Sequence, residues 1–449
     1  MRILLLASHD KTQGKPTLGL LYLAAYARKV LGDFLTIKVV DHLIPLDSVV
    51  EFCPDIVGIC VFTHQANIIK AWVDDLRKCI QVPIVLGGPH ISAMPEWLPA
   101  TCNVGVIGEG EITFSEVLQH CLEHDGKINP NKLSLICGVV FRNNQGGLEI
   151  SAPRERVQDL DNIPFPDRDL IELENYLDRS NVFGNIFGRG THMITSRGCP
   201  FECVYCSSNA FWGRRVRYHS PEYVVKEIAL LIEKYNVEYI HIYDDLFIGK
   251  QSRVKEISDL IEYYGINKKV QFGIYATVNM INDEICVLLK KMGVINIDFG
   301  FESGTPRILE FLKAGAMTRE QIINAVKVCK KHGFMVGGGF ILGAPGETKQ
   351  EMLDTLAFIK ELDLTKFAHY ILRPFPGTPL WNIAKEKGIV DDTMDFSLLE
   401  LKKMGGYQDE KILRPLTNEV STEDLIDVYN LFEEERSRKF SYRWDVERN

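Results

Sequence analysis

Positive charge is in short supply in this chain. Its 51 Lys and Arg stand against 60 Asp and Glu, giving a net charge of −9. That balance excludes a general nucleic-acid binder, which needs clustered cations to neutralise phosphates. Long hydrophobic runs are absent too. The stretch Met1-Arg2-Ile3-Leu4-Leu5-Leu6-Ala7 is too short for the apolar region of a signal peptide or for a membrane span. It reads as a strand, and no membrane-spanning segment is expected. There is no low-complexity tract and no short internal repeat. A disulfide framework is also missing. Of the 11 cysteines, Cys53, Cys60, Cys79, Cys102, Cys121, Cys137, Cys286 and Cys329 are scattered among apolar residues and read as small buried hydrophobes. Free thiols belong to a reducing compartment, so the expected location is cytoplasmic. The remaining composition, 46% hydrophobic and 25% charged over 449 residues, is that of a globular protein long enough for two or three domains.

The other three cysteines lie together. Cys199, Cys203 and Cys206 stand in the run Ser196-Arg197-Gly198-Cys199-Pro200-Phe201-Glu202-Cys203-Val204-Tyr205-Cys206, a C-x-x-x-C-x-x-C spacing on a loop with Gly and Pro. Three thiolates so placed can converge on one soft metal centre, an iron–sulfur cluster or zinc. Zinc asks for a fourth Cys or His ligand with its own spacing, and no second close Cys pair exists. Three unrelated buried thiols are the remaining alternative. A cubane of four irons held by three cysteines leaves one iron open to a substrate or cofactor, as a catalytic cluster requires. Such a cluster is oxygen-sensitive, which suits a low-oxygen setting.

Residues 1–125 alternate strand and helix patterns. Strands are expected at Arg2–Ala7, Leu35–Val40, Asp55–Phe62, Val82–Leu86 and Val104–Ile107, with helices at Leu18–Leu31 and Ile68–Ile80. The alternation predicts a Rossmann-like parallel sheet with its ligand at the carboxyl ends of the strands. Gly87-Gly88 and Gly108-Glu109 fall there, where backbone can approach a cofactor closely. Residues 126–190 read as a hairpin, Leu133–Arg142 and Gly147–Ser151 around Asn143–Gly146, followed by a Pro-containing linker. From 191 to 395 six strands recur, at His192–Ser196, Glu238–Tyr243, Val270–Ala276, Ile295–Phe301, Met335–Leu342 and Phe367–Leu372, with helices such as Glu222–Tyr235 and Asp283–Met292 between them. Six such units curl into a partial (β/α)6 barrel. Residues 396–449 form a helical extension whose clearest helix is Ser421–Arg436. The fold class is α/β.

Other motifs sit at the barrel strand ends. Asp244 and Asp245 close the second strand, where a helix cap or salt-bridging pair is one reading. Glu302 and Ser303, in Gly300-Phe301-Glu302-Ser303, close the fourth; a carboxylate there suits an ammonium or ribose hydroxyl, against the alternative of a plain surface acid. The run Gly337-Gly338-Gly339-Phe340-Ile341-Leu342-Gly343-Ala344-Pro345-Gly346-Glu347-Thr348 suggests close approach by a ligand, although Glu347-Thr348 can also simply begin a helix. Arg373–Leu380 ends the sixth strand and reads as a rigid turn, with Arg373 as a contact for a substrate anion.

The cysteine loop, with Tyr205 before its last thiol, resembles the signature loop of the radical S-adenosylmethionine (SAM) superfamily. The Gly300–Ser303 and Phe340–Thr348 segments resemble the G-x-E-S and F-I-x-G-x-P-G-E-T runs of its cobalamin-dependent and methylthiotransferase-like branches. The N-terminal pieces Pro16–Leu20, Gly58–Thr63, Gly87–His90 and Gly108–Glu111 resemble the cobalamin-binding domain that precedes the barrel in class B radical SAM enzymes. The likeness spans residues 1–395. It implies a [4Fe–4S] cluster on Cys199, Cys203 and Cys206, and SAM contacts from Tyr205, Asp244, Asp245, Glu302, Ser303, Gly339 and Ile341. It also implies cobalamin near Thr63, Gly87, Gly88, Gly108 and Glu109. Two departures stand out. The D-x-H-x-x-G fingerprint of cobalt ligation is absent, so cobalamin is expected without a histidine ligand, the alternative being a relic domain that holds no corrinoid; His9 and His90 line its pocket or serve as structural hydrogen-bonders. The third barrel strand ends in Ala276-Thr277-Val278-Asn279, where the family often has an Arg for the SAM carboxylate; Thr277 or Asn279 would substitute.

The resemblance implies that the cluster passes one electron to SAM, giving a 5′-deoxyadenosyl radical that abstracts hydrogen from a substrate carbon. The outcome it favours is cobalamin-dependent methylation of an unactivated carbon of a small molecule, with an electron donor such as flavodoxin or ferredoxin. Alternatives are a dehydratase, epimerase or oxidative cyclase of the same fold without cobalamin chemistry, and a non-catalytic Fe–S or zinc binding module. With no cysteine cluster after Cys206, auxiliary clusters are not expected.

Overall fold

The computed structural model describes residues 1–8, 16–32, 34–177, 188–401 and 414–446. His9 lies outside them. The chain divides into two compact units, one of residues 1–191 with 210–212 and 395–397, the other of residues 192–209, 213–394 and 398–449.

The first unit is built on β1 (Arg2–Ala7), β2 (Thr36–Val40), β3 (Ile56–Cys60), β4 (Ile84–Gly87), β5 (Val104–Val106), β6 (Val139–Arg142) and β7 (Leu148–Ile150). They form one sheet in the order β2-β1-β3-β4-β5-β6-β7. The first five strands are parallel, and β6 and β7 add on antiparallel. Ile3, Leu4, Leu5, Leu6 and Ala7 are all buried, as expected for a central strand covered on both faces. Helices Leu18–Leu31 and Gly110–Glu123 pack on one another. The hairpin expected around residues 143–146 joins this sheet rather than standing apart. Its turn forms because Asn143 Oδ1 accepts from the backbone N–H groups of Gln145 and Gly147, at 3.0 and 2.9 Å. Leu133 ends a short helix, Pro130–Leu133, so the first arm starts only at Val139.

The second unit contains β8 (Gly190–Met193), a small ladder of β9 (Ser196–Arg197) with β10 (Arg217–Tyr218), then β11 (Tyr239–Ile242), β12 (Gln271–Ala276), β13 (Val294–Glu302), β14 (Met335–Leu342) and β15 (Lys366–Ile371). The large sheet runs β15-β14-β13-β12-β11-β8, with β11 to β15 parallel. Spatial order follows chain order, the arrangement of a partial barrel. The expected strand His192–Ser196 is broken. Thr195 gives its backbone N–H to the Asp244 carboxylate at 2.5 Å, so it leaves the sheet. Between β13 and β14 there are two helices, Pro306–Lys313 and Arg319–Lys331, separated by Ala314 and Gly315 at φ +49° and +74°. The C-terminal helix runs Thr422–Val446, longer than its periodicity suggests, and Ser421 Oγ caps it by accepting from Asp424 N at 3.0 Å. This helix packs on edge strand β15. The His369 ring lies 4.3 Å from that of Tyr429 and 5.4 Å from that of Phe432, so the edge is covered. No helix of the described residues is long and apolar enough to cross a membrane.

Candidate active site

The cysteine loop leaves β9 through Gly198 at φ +100°. A Cβ there would lie 2.6 Å from the Arg215 carbonyl oxygen, so only glycine fits. Asp245, just past β11, fastens the loop on both sides. Its carboxylate accepts from Ser208 Oγ at 2.6 Å and from the Gly198 backbone. Val204 is tied at both backbone groups: its N–H donates to Leu312 O at 3.1 Å, and its carbonyl accepts from Leu380 N at 3.0 Å. Leu380 belongs to the turn read from Arg373–Leu380, where Thr378 Oγ1 caps helix Pro379–Glu386.

Cys199, Cys203 and Cys206 line one cavity of about 360 Å³ together with Tyr205, Asp244 and Asp245. Tyr243, Tyr275, Thr277, Asp298 and Lys313 also line it. Arg373 is buried and does not reach this lining. A larger groove of about 570 Å³ between residues 360–365 and 435–439 holds none of these groups. Burial raises all three thiols, Cys206 to about 11, so a metal must displace their protons. Among the described residues no three His, Cys, Asp or Glu side chains are grouped as ligands of one ion. The fit to a cluster rests on the shared cavity and the loop spacing.

The acids divide by role. Asp244 is buried and accepts from Thr195 N, Thr195 Oγ1 and Ser196 Oγ at 2.5, 2.5 and 2.6 Å. Burial raises its pKa against these bonds and nearby Arg253. Burial likewise raises Asp245. Glu302 sits at φ +63° in a register shift of β13 against β14, a bulge that re-aims its side chain. Its Oε1 accepts from Tyr205 Oη at 2.6 Å and from Lys313 Nζ at 2.7 Å. Tyr205 and Lys313 reach the cavity lining, whereas Glu302 does not. Burial works to lower the Lys313 pKa, but Glu302 and Cys203 outweigh it and hold the ammonium above the usual lysine value. Asp298 pairs with Lys366 Nζ at 3.1 Å and accepts from Asn296 Nδ2 at 2.5 Å.

Three of the remaining barrel positions lie off the cavity lining. Ser303 is buried and its Oγ accepts from Thr305 N at 3.1 Å. Gly339 and Ile341 lie on β14. The glycine run there has mixed causes. A Cβ on Gly337 would meet Asp298 Oδ1 at 1.8 Å, and one on Gly338 would meet Phe301 at 2.7 Å. Gly339 alone of the three has ordinary room, 3.6 Å to Phe299 O. Thr348 is a helix cap in a capping box with Glu351.

In the first unit, Gly87 ends β4, and Thr63, Gly88, Gly108 and Glu109 follow the carboxyl ends of β3, β4 and β5. The strand order reverses at β1/β3, the switch point where such sheets bind ligands. Gly88 has φ +92°, and a Cβ on it would lie 2.8 Å from Cys60 Sγ and 3.1 Å from the Val61 backbone. The chain's own packing is enough to require glycine here. Gly108 differs: at φ +77° its Cβ position has nothing within 4 Å. Glu109 Oε2 accepts from Val157 N at 2.9 Å, and Thr63 is buried at the start of a short turn. His90 is fully buried, its ring edge-on to Trp97 and Phe396 at 4.5 and 4.9 Å, with no hydrogen bond to either ring nitrogen among the described residues. Burial lowers it to about 4, leaving a neutral, enclosed imidazole.

The radical SAM superfamily model matches residues 193–359, and the B12 binding domain model matches residues 13–118. A protein of Pyrococcus horikoshii, named an uncharacterized methyltransferase, is 34% identical over 420 residues, covering 89% of this chain and 86% of its own. The cytidylyl-2-hydroxyethylphosphonate methyltransferase of Streptomyces wedmorensis is 25% identical over 374 residues, covering 76% of this chain and 68% of its own. The solved structure of the radical S-adenosylmethionine methyltransferase TsrM from Kitasatospora setae has a TM-score of 0.70 at 20% identity, covering 89% of this chain and 80% of that one.

The chain belongs to the cobalamin-binding radical SAM family. Its cofactors are therefore a [4Fe–4S] cluster, SAM and cobalamin. The three thiols on one cavity fit the cluster, and the open glycine at the β5 end fits a large cofactor laid along the strand ends. One cavity residue of this radical SAM unit carries no readable signal in the sequence. Lys313 ends an amphipathic helix and looks like any solvated lysine. Tyr275 and Asp298 sit on β12 and β13 and Tyr243 just past β11, where strand alternation would have pointed to them.

Proposed function

We propose that this protein is a cobalamin-dependent radical SAM methyltransferase acting on an unactivated carbon of a small molecule. When bound, the cluster and SAM supply the radical that abstracts hydrogen, and cobalamin supplies the methyl group. Cys199, Cys203 and Cys206 are the cluster ligands. Asp245 holds their loop in shape through Ser208 and Gly198, and Asp244 fixes the turn before it. Tyr205, Asp244, Asp245, Glu302, Ser303, Gly339 and Ile341 belong to the SAM site, either facing the ligand or backing residues that do. Thr63, Gly87, Gly88, Gly108 and Glu109 shape the cobalamin site, with no histidine on cobalt. Residues 1–125 form the cobalamin-binding part, 191–395 the barrel and 396–449 the extension. The single observation carrying this reading is the sharing of one cavity by the three thiols. An electron donor such as flavodoxin or ferredoxin reduces the cluster, in the cytoplasm.

The test is anaerobic turnover with SAM, reductant and cobalamin. Production of 5′-deoxyadenosine is expected from the wild type and from no variant lacking Cys199, Cys203 or Cys206. Equal yields from wild type and variants would refute the assignment.

A further inference from the structure

Parallel barrels ordinarily fill their interior with layers of bulky branched side chains. Here one row of the sheet is polar instead. Tyr275 of β12, Asp298 of β13, Gly337 of β14 and Lys366 of β15 are successive partners in register. Asp298 and Lys366 are 6% and 9% exposed. Lys366 reaches Asp298 across β14, its ammonium 3.1 Å from Oδ1, because Gly337 leaves the way clear. A Cβ on Gly337 would stand 1.8 Å from Asp298 Oδ1 and 2.7 Å from Lys366 Cε. A buried ion pair loses its hydration, and an apolar pair of like volume is often as stable or more so. Fold stability therefore does not account for the row.

Its place does. Asp298 lines the cavity that the three thiols share, as do Tyr243 and Tyr275, whose rings meet edge-on at 5.4 Å. Lys366 and Asn296 hold the carboxylate without lining the cavity themselves. The row nearer the rim is Gly300, Gly339 and Ala368, all small. A carboxylate accepts at about four positions, so Asn296 and Lys366 do not use it up. Lys366 already balances its charge, which favours a neutral donor over a second cation. An anion would meet three acids, Asp244, Asp245 and Asp298, on the same lining. The tyrosine rings add apolar surface beside the carboxylate. Asp298 also precedes Glu302 by four residues on β13, on the order of 13 Å of strand, so it lies deeper than the rim.

We propose that Asp298, held by Lys366 and Asn296, accepts a hydrogen bond from a hydroxyl group of the small-molecule substrate, and that this substrate is a neutral alcohol whose apolar body lies against Tyr243 and Tyr275. The proposal rests on the radical SAM methyltransferase reading above. Asp298 selects and orients the substrate, with Lys366 as its positioning residue, and no proton changes hands.

The probes are cyclohexanol and cyclohexanone, alike in size, of which only the alcohol donates a hydrogen bond. They are titrated by ligand-observed NMR against the full chain, loaded anaerobically with cluster, SAM and cobalamin and given no reductant, after its iron content and SAM affinity are measured. Wild type is expected to favour the alcohol about 10-fold, the size of one hydrogen bond to a charged acceptor. Asp298→Leu/Lys366→Met, which strands neither charge, should lower that preference to about 2-fold or less while binding SAM as wild type does. Asp298→Asn, which keeps a weaker acceptor, should lie between. Equal affinity of wild type for the two probes, binding of neither, or an unchanged preference in the double variant overturns the proposal. SAM weakened about 10-fold or more by the double variant also overturns it, and assigns the carboxylate to the ribose hydroxyls of SAM. If the wild type assembles no cluster and binds no SAM, the radical SAM reading fails and this proposal falls with it.

Discussion

Ser208 donates a hydrogen bond to Asp245 at 2.6 Å, bridging 37 residues of chain to close the far side of the cysteine loop. The other Asp245 contact is the Gly198 backbone, on the near side. One carboxylate thus sets the separation of the loop ends, and through them the placement of three ligands. Asp245→Ala should leave the loop unfastened and lower bound iron to less than about half the wild-type level after anaerobic reconstitution, since outer-shell partners of ligands typically change metal affinity 10-fold or more. Asp245→Asn, which can still accept from Ser208, should stay near wild type. Full iron in the alanine variant would show the clamp to be unnecessary.

Gly198 is required by its backbone, whatever the cavity contains. Gly198→Ala places a methyl 2.6 Å from Arg215 O at φ +100°. The expected cost is about 2 kcal/mol or more, read as a lower denaturant midpoint of metal-free protein. An unchanged midpoint would contradict the requirement for glycine at this turn.

Gly88 gives a similar test in the first unit. Gly88→Ala should destabilise the protein before any corrinoid is offered, because the new Cβ meets Cys60 and Val61. Gly87→Ala, whose Cβ would be 3.8 Å from Val106, should be nearly silent in the same melt. Equal melting of the two variants would reject the packing explanation of Gly88.

Glu347 predicts a pH dependence. Its Oε2 accepts from Gly343 N and Ala344 N at 2.7 and 2.9 Å, while Oε1 is buried with no hydrogen bond among the described residues. Burial outweighs these bonds and raises the group to about 7. The folded state therefore holds the proton more tightly than the unfolded chain. This contribution is fully present below the ordinary carboxylate range and is lost as pH rises through 7, on the order of 3 kcal/mol at most. Denaturant midpoints should fall between pH 5 and pH 8, and Glu347→Gln should flatten that slope. The same slope in the variant would assign it to another group.

Much of this fold can be read from the chain because it is locally encoded. Met335–Leu342 and Asp283–Met292 match their elements at both ends, since their periodicity and flanking turns lie within one element. The strand His192–Ser196 defeats such a reading because the reason it breaks, Asp244, lies 49 residues beyond Thr195. The cysteine loop is legible because its three thiols lie within eight residues of chain, and the family resemblance of that run implies the cluster. Lys313 is not, because its meaning comes from Glu302 on a bulge and Tyr205 more than 100 residues earlier. Gly337 and Gly338 look like ligand-contact glycines in sequence, but Asp298 and Phe301 claim that space in the fold.

The most direct test of the whole is metal analysis of anaerobically reconstituted protein, offered hydroxocobalamin and passed through gel filtration. Wild type should emerge with about four irons and about one cobalt per chain, and the Cys199→Ala/Cys203→Ala/Cys206→Ala variant should keep the cobalt and lose the iron. Wild type without cobalt would contradict methyl transfer from cobalamin. Iron retained by the triple variant would contradict the cluster assignment itself.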